Sequence, residues 1–297
     1  MKKVIVITGP TASGKTALAI KLAKALSTEI ISGDSVQVYK GFDIASAKIK
    51  DEEKEGIIHH LIDISYDKKY TVYDFQKDAR YLIDNMESIP IICGGTGYYI
   101  ASVLKDYDFS GEERKNDYSN YSLEELLEKC DENHIEIIDR NNRRRIERSL
   151  DIFNQNIDKR INKDEYLYDS IIFSITMPRD ILYDRINQRV DMMIEEGLIE
   201  EALKIYHSNR LDLSKTIIGY KELYKYFDGS ITKEEAIEEI KKNTRNYAKR
   251  QYTWFKHQLN VYWLDGLKDT NELLNEMINV LKEKEFIWKL KNQKDYF

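Results

Sequence analysis

Residues 9 to 16 read Gly9-Pro10-Thr11-Ala12-Ser13-Gly14-Lys15-Thr16, the spacing of a loop that holds phosphates. Gly9 and Gly14 let the backbone wrap an anion closely, with N–H groups pointing inward at a helix N-terminus. Lys15 adds a point charge for the terminal phosphates, and the Thr16 hydroxyl is placed to coordinate a magnesium ion bridging phosphate oxygens. The loop alone leaves open whether those phosphates belong to ATP, GTP or another pyrophosphate compound. A second chemical group, Asp34, stands in Gly33-Asp34-Ser35, where a carboxylate would face the phosphate loop.

Such groups need a scaffold, and the flanking sequence supplies one. Val4 to Thr8 is an apolar strand running into the loop, and Ala17 to Leu26 is the helix that follows it. Glu29 to Ser32 reads as a second strand ending at Asp34. Val72, Phe75, Ala79, Leu82, Ile83 and Met86 keep a helical period, and Pro90 to Cys93 reads as a third strand, closed by the tight turn Gly94-Gly95-Thr96-Gly97. Strands alternating with helices predict a parallel sheet covered on both faces, with ligands at the carboxyl ends of its strands. The fold class expected is α/β: a P-loop, nucleotide-kinase-like sheet flanked by helices, with a small helical insertion domain.

The insertion is expected over residues 108–163, where the sequence turns polar and tyrosine-rich and Ser122-Leu123-Glu124-Glu125 has the form of a capping box. Residues 1–107 and 164–297 then form the catalytic core with its C-terminal helices. Ser170 to Thr176 reads as a returning strand and Pro178 to Glu196 as a long helix ended by Gly197. The remainder reads as helical, including a helix opened by the capping box Thr232-Lys233-Glu234-Glu235 and running past Tyr252.

The chain of 297 residues is 42% hydrophobic and 33% charged, which suits a large core under a densely ionic surface. No stretch approaches the ~20 apolar residues of a membrane span, so a cytoplasmic protein without membrane partners is expected. Cys93 and Cys130 have no paired spacing and support neither a disulfide framework nor a zinc site. A net charge of −6 argues against indiscriminate nucleic-acid binding, yet it hides two basic segments. Five arginines fall within residues 140–148, and no acidic residue occurs from Lys241 to Leu264.

The phosphate loop, Asp34-Ser35-Val36-Gln37-Val38-Tyr39, Gly94-Gly95-Thr96 and Ala248-Lys249-Arg250-Gln251-Tyr252-Thr253-Trp254-Phe255, taken in order, resemble the tRNA dimethylallyltransferase (tRNA isopentenyltransferase) family. His59 to Ile64 and Ile218 to Glu222 resemble further segments of it, and the likeness runs to about Trp263. The resemblance implies transfer of a dimethylallyl group from dimethylallyl pyrophosphate to N6 of the adenine immediately 3′ of the anticodon, at position 37. The phosphate loop would then hold a pyrophosphate that leaves, with Mg2+ at Thr16, and the partner would be the anticodon stem-loop of tRNA. A monomer is expected.

The same resemblance implies roles residue by residue. Asp34 would take the N6 proton, Thr96 would stand where the two substrates meet, and Arg189 would contact the pyrophosphate. Residues Asp34, Ser35, Val36 and Gln37 would touch the target base. Further RNA contacts would come from Arg144, Arg145 and Arg148, from Gly219, Tyr220 and Lys221, and from Lys249, Arg250 and Gln251. Helical spacing sends Trp254 inward, and His59, His60 and Asp63 receive no role. Set against these are plainer readings: Asp34 as a turn cap or a water-mediated metal ligand, Thr96 as a turn residue, Arg189 and the arginine cluster as solvated helix faces.

Asp43-Ile44-Ala45-Ser46-Ala47-Lys48-Ile49 lacks a glycine and a proline that the family carries there, and Arg148-Ser149-Leu150-Asp151 replaces Arg-Ala-Leu-Glu. The insertion is about one helix shorter than the family's, and Arg114 is the one candidate for a further tRNA-contacting arginine. Two alternatives accompany the resemblance: a P-loop kinase of a small metabolite, and a diverged paralogue that binds RNA without catalysis.

Overall fold

A computed structural model describes residues 1–107, 109, 116–135, 139–154 and 165–287. It divides into two compact units, one of residues 1–105 with 166–297 and one of residues 106–165. Arg114 lies outside the described residues, as do both ends expected for the insertion.

The larger unit is built on a six-stranded parallel sheet. Its strands are β1 (Lys3–Thr8), β2 (Ile30–Ser32), β3 (His59–His60), β4 (Ile91–Cys93), β5 (Asp169–Thr176) and β6 (Tyr262–Asp265), in the order β3-β2-β4-β1-β5-β6. Helices α1 (Lys15–Leu26), α2 (Val72–Asn85) and α3 (Gly97–Leu104) connect the first strands. β1 is buried along nearly its whole length, as its unbroken apolar run requires of a central strand covered on both faces. It pairs with β4 through Ile5–Ile91 and with β5 from Lys3–Asp169 to Thr8–Ser174. From β1 the chain moves to β2 on one side, and from β4 it crosses over to β5 on the other. The loops at the carboxyl ends of β1 and β4 therefore open a crevice between them.

Two of the six strands escape the sequence reading. β3 has two residues, and β6 lies where only helix was expected. β2 and β4 also each begin one residue later than expected.

After β5 come α6 (Arg179–Glu195), α7 (Leu198–Tyr206), α8 (Leu211–Ser214), α9 (Tyr220–Phe227), α10 (Lys233–Gln258) and α11 (Thr270–Glu283). Gly197 (φ 100°) separates α6 from α7. The expected cap of α10 forms: the Thr232 hydroxyl accepts from Glu235 N at 3.2 Å and the Glu235 carboxylate accepts from Thr232 N at 2.8 Å.

A second core, around Phe42, Leu198, Ala202, Tyr220, Leu223 and Ile240, seats α7, α9 and α10 against the segment after Asp34. The Glu201 carboxylate fastens that segment, accepting from Asp43 N (2.9 Å), Ile44 N (2.8 Å), Ala45 N (3.1 Å) and the Tyr220 hydroxyl (2.7 Å). Lys48 ties it further, donating to Asp43 at 2.6 Å, Asp63 at 2.5 Å and Tyr39 O at 2.9 Å. The stretch that lacks the family's glycine and proline is thus held by Glu201 and Asp63 from elsewhere in the fold and by its own Lys48.

The smaller unit contains α4 (Leu123–Glu132) and α5 (Arg143–Asn154), which share a core of Tyr118, Leu126, Cys130, Ile146 and Leu150. The Ser122 capping box forms here, with Glu125 accepting from Ser122 N at 2.6 Å.

Candidate active site

The loops after β1, β2 and β4 meet α6 and α10 at the carboxyl edge of the sheet. The phosphate loop leaves β1, takes left-handed backbone at Ala12 (φ 63°) and Gly14 (φ 88°), and enters α1 at Lys15. A Cβ at Gly14 would meet nothing within 4 Å, so it is backbone conformation that calls for glycine there. At Gly94 the reason is contact: a Cβ would lie 2.3 Å from Gly33 O, because the ends of β2 and β4 touch backbone to backbone. That approach brings Asp34 and Thr96 to one place. Gly33 N donates to Cys93 O at 2.8 Å, Thr96 N to Gly33 O at 3.2 Å, and Ser35 N to Thr96 Oγ1 at 3.2 Å.

Asp34 Oδ1 accepts from Val36 N at 2.8 Å and Gln37 N at 3.2 Å. The turn-capping reading of this aspartate therefore describes one of its oxygens. Gln37 turns inward, accepting from Ser32 Oγ at 3.0 Å and donating to Ser46 O at 3.3 Å, so its amide shapes the loop.

Charge is concentrated and poorly hydrated here. Burial lowers the pKa of Lys15; the nearby positive Arg189 pushes it the same way, while Cys93 and Asp34 oppose the shift. Arg189, on α6, is likewise lowered by burial and supported by Asp34, Glu196 and Glu53. The structure thus brings Lys15, Asp34 and Arg189 into one electrostatic neighbourhood, and Arg189 is not a solvated surface residue. Lys15 Nζ is folded back to Pro10 O at 3.4 Å. Cys93 lies beneath the loop, its thiol pushed up to about 11 chiefly by burial. Ser13 Oγ is buried with no hydrogen-bond partner, an orphan of the kind a phosphate oxygen would satisfy. Thr16 is exposed at the first turn of α1. An exposed hydroxyl beside a phosphate loop suits magnesium, which takes few protein ligands and keeps phosphate oxygens and water. Among the described residues no cluster of three or more His, Cys, Asp or Glu could hold a metal by itself.

Tyr247, unmarked in the sequence reading, also belongs to this site. Burial, reinforced by Asp34 and opposed by Thr96, Arg250 and Gln251, pushes its hydroxyl pKa to about 12. Only its helical offset of four from Gln251 could have flagged it.

The residues expected to meet RNA divide by exposure. Lys249 and Arg250 are exposed on α10, and Lys221 is partly exposed. Tyr220 is fully buried, its hydroxyl held by Glu201, and Gly219 is buried at the N-terminus of α9. Neither offers a surface to a base, which corrects that part of the expectation. Gln251 is also buried, bonded to the phosphate loop and to the turn after β4, so its expected RNA contact is corrected too. Trp254 is half-buried over Gly97.

In the smaller unit the arginine cluster separates as well. Arg140 is paired with Asp131 at 2.7 and 3.0 Å; Arg143 donates to Glu147 at 2.7 Å and Tyr118 O at 2.6 Å. Arg144 and Arg145 are exposed, Arg145 only loosely near Asp139 at 3.9 Å, and Arg148 is half-buried.

The IPP transferase family model matches residues 37–258. A tRNA dimethylallyltransferase of Anoxybacillus flavithermus is 46% identical, over 95% of this chain and 97% of its own. The full-length tRNA isopentenylpyrophosphate transferase of Bacillus halodurans has a similar structure, with a TM-score of 0.76 and 41% identity over 96% of this chain and 99% of its own. A eukaryotic dimethylallyltransferase acting on tRNA superposes with a TM-score of 0.79 at 27% identity, covering 99% of this chain and 82% of its own. Among the described residues no helix is long and apolar enough to cross a membrane.

Proposed function

This chain belongs to the IPP transferase family, and from that premise we infer that it transfers the dimethylallyl group of dimethylallyl pyrophosphate to N6 of the adenine at position 37 of tRNA, 3′ of the anticodon. It is a tRNA prenyltransferase, and the kinase alternative falls away. The observation that carries the reading is the meeting of Lys15, Asp34, Thr96 and Arg189 at one sheet edge.

Breaking the bond between the allyl carbon and the pyrophosphate oxygen builds negative charge on the leaving group. The loop N–H groups, Lys15 and Arg189 stabilise that charge, and their partial desolvation strengthens the effect. The Thr16 hydroxyl would help to hold Mg2+, which when bound would supply further charge neutralisation.

The adenine amino group is a weak nucleophile, because its lone pair is delocalised into the ring. Asp34 orients it by accepting an N6–H hydrogen bond through Oδ2, while Val36 and Gln37 N–H hold Oδ1 in place. As the carbon–nitrogen bond forms, the N6 proton passes to Asp34. Thr96 supports that turn through Ser35 N.

The base must leave the anticodon-loop stack to reach this depth. Ser35, Val36, Lys249 and Arg250 contact the loop, and the exposed Arg144 and Arg145 of the smaller unit, with Arg148 beside them, bind tRNA phosphates. Residues 108–163 form this insertion and the rest the catalytic core, and the enzyme works as a cytoplasmic monomer.

The test is incubation with tRNA, dimethylallyl pyrophosphate and magnesium, followed by mass analysis of the nucleosides. Dimethylallyladenosine is expected from the wild-type chain, with Asp34→Ala slowed at least 100-fold. TRNA that stays unmodified would overturn the function; an undiminished Asp34→Ala would overturn only the base assignment.

A further inference from the structure

α10 presents two faces with different surroundings. Lys249, Arg250 and Lys256 are exposed, whereas Ala248, Gln251 and Phe255 form a buried stripe at spacings of three and four residues. Gln251 is the polar member of that stripe and only 5% exposed.

Its amide is used at both ends. Oε1 accepts from Thr11 N of the phosphate loop at 2.9 Å, and Nε2 donates to Gly95 O of the turn after β4, also at 2.9 Å. An amide is the side-chain group that offers acceptor and donor side by side; glutamate lacks the donor, methionine lacks both, and asparagine is one methylene short. The fit has no slack, since a Cβ on Gly95 would come within 2.2 Å of Gln251 Nε2. One turn further along α10 the Trp254 indole lies so close to Gly97 that a Cβ there would be 2.1 Å from it. Between these two contacts sits Thr96, whose hydroxyl holds Ser35 N beside Asp34.

We infer that Gln251 is a positioning residue that fixes the separation between the phosphate loop and the Thr96–Asp34 edge, and that it does not contact RNA. The inference rests on the functional reading above. Pyrophosphate is held on one side of this link and the accepting base on the other. A misplacement of about 1 Å between reacting groups costs on the order of 100-fold in rate, even where each substrate still binds its own loop. Loss of the link therefore falls on kcat and spares affinity.

The experiment compares wild type with Q251M, which keeps the volume but neither bond, and with Q251E, which keeps the acceptor for Thr11 N and sets an oxygen against Gly95 O. Expected is a kcat lowered about 100-fold in Q251M and at least 10-fold in Q251E. The KM for dimethylallyl pyrophosphate in Q251M and the tRNA Kd in both should stay within threefold. Combining Q251M with Thr96→Val should cost no more than Thr96→Val alone, because both act on the same turn. A general loss of stability would instead multiply the two losses. A kcat within twofold of wild type in either variant, multiplicative losses, or a tenfold weaker tRNA Kd at unchanged kcat would each overturn the inference. A wild-type chain that makes no product refutes the functional reading, and this inference with it.

Discussion

The two units treat positive charge in opposite ways. In the larger one Lys15 and Arg189 are drawn out of water, so that burial lowers both pKa values and a neighbouring carboxylate partly compensates. In the smaller one Arg144 and Arg145 stand in solvent, while Arg140 and Arg143 of the same cluster are committed to Asp131, Glu147 and a carbonyl. Buried charge is stored at a cost that the nearby carboxylates offset in part and a bound anion offsets further, which suits a site that must stabilise charge as a bond breaks. Exposed charge costs little and attracts phosphates over a distance, which suits capture of a polyanion.

Replacing Lys15 tests the buried side and should have the largest effect. Lys15→Met should slow transfer at least 100-fold yet raise the Tm of the ligand-free protein. Because burial lowers its pKa from 10.5, the folded state bears the cost of the charged form below that lowered value and sheds it as pH climbs from there towards 10.5. The stabilisation should therefore be largest near pH 7 and fade in alkali. A Tm lowered at pH 7 would break the comparison.

On the exposed side the effect is smaller and of another kind. Arg144→Ala with Arg145→Ala should weaken tRNA binding about tenfold at moderate salt and flatten the salt dependence by about one unit per arginine, leaving kcat at saturating tRNA unchanged. Filter binding at several salt concentrations measures this, and an unchanged slope would show that these arginines meet no phosphates. The smallest effect sharpens the boundary between the classes. Tyr220→Phe removes one bond to Glu201 and should cost about 2 kcal/mol in a denaturant melt without changing tRNA affinity. Weaker RNA binding at unchanged stability would return Tyr220 to the surface class.

Local chemistry was legible in the sequence. The phosphate loop, both capping boxes and the alternation of strand and helix depend on neighbours a few residues apart, and they formed as read. Asp34, Thr96 and Arg189 were proposed through resemblance, and the close approach of Gly33 and Gly94 explains why the first two lie together. What stayed hidden depends on distant partners. The bonds of Gln251 reach residues 240 and 156 positions away, so its basic neighbours made it read as an RNA contact. The arginine cluster read as uniform because its division depends on Asp131 and Glu147. β6 stayed hidden because only Leu264 of its four residues is buried, leaving no alternation to detect.

The central place of β1 also bears on how the chain is made. β1 leaves the ribosome before both of its sheet neighbours; β4 follows at Ile91, but β5 comes only after the whole smaller unit, at Asp169. At ~5–20 residues per second, the Val-Ile-Val-Ile edge of β1 waits on the order of ten seconds for its second partner. During that interval it is an unpaired, apolar strand edge open to pairing with another nascent chain. Placing the insertion between β4 and β5 thus lengthens the most aggregation-prone moment of biosynthesis, and the yield of folded protein should depend on what shields that edge until residue 174 arrives.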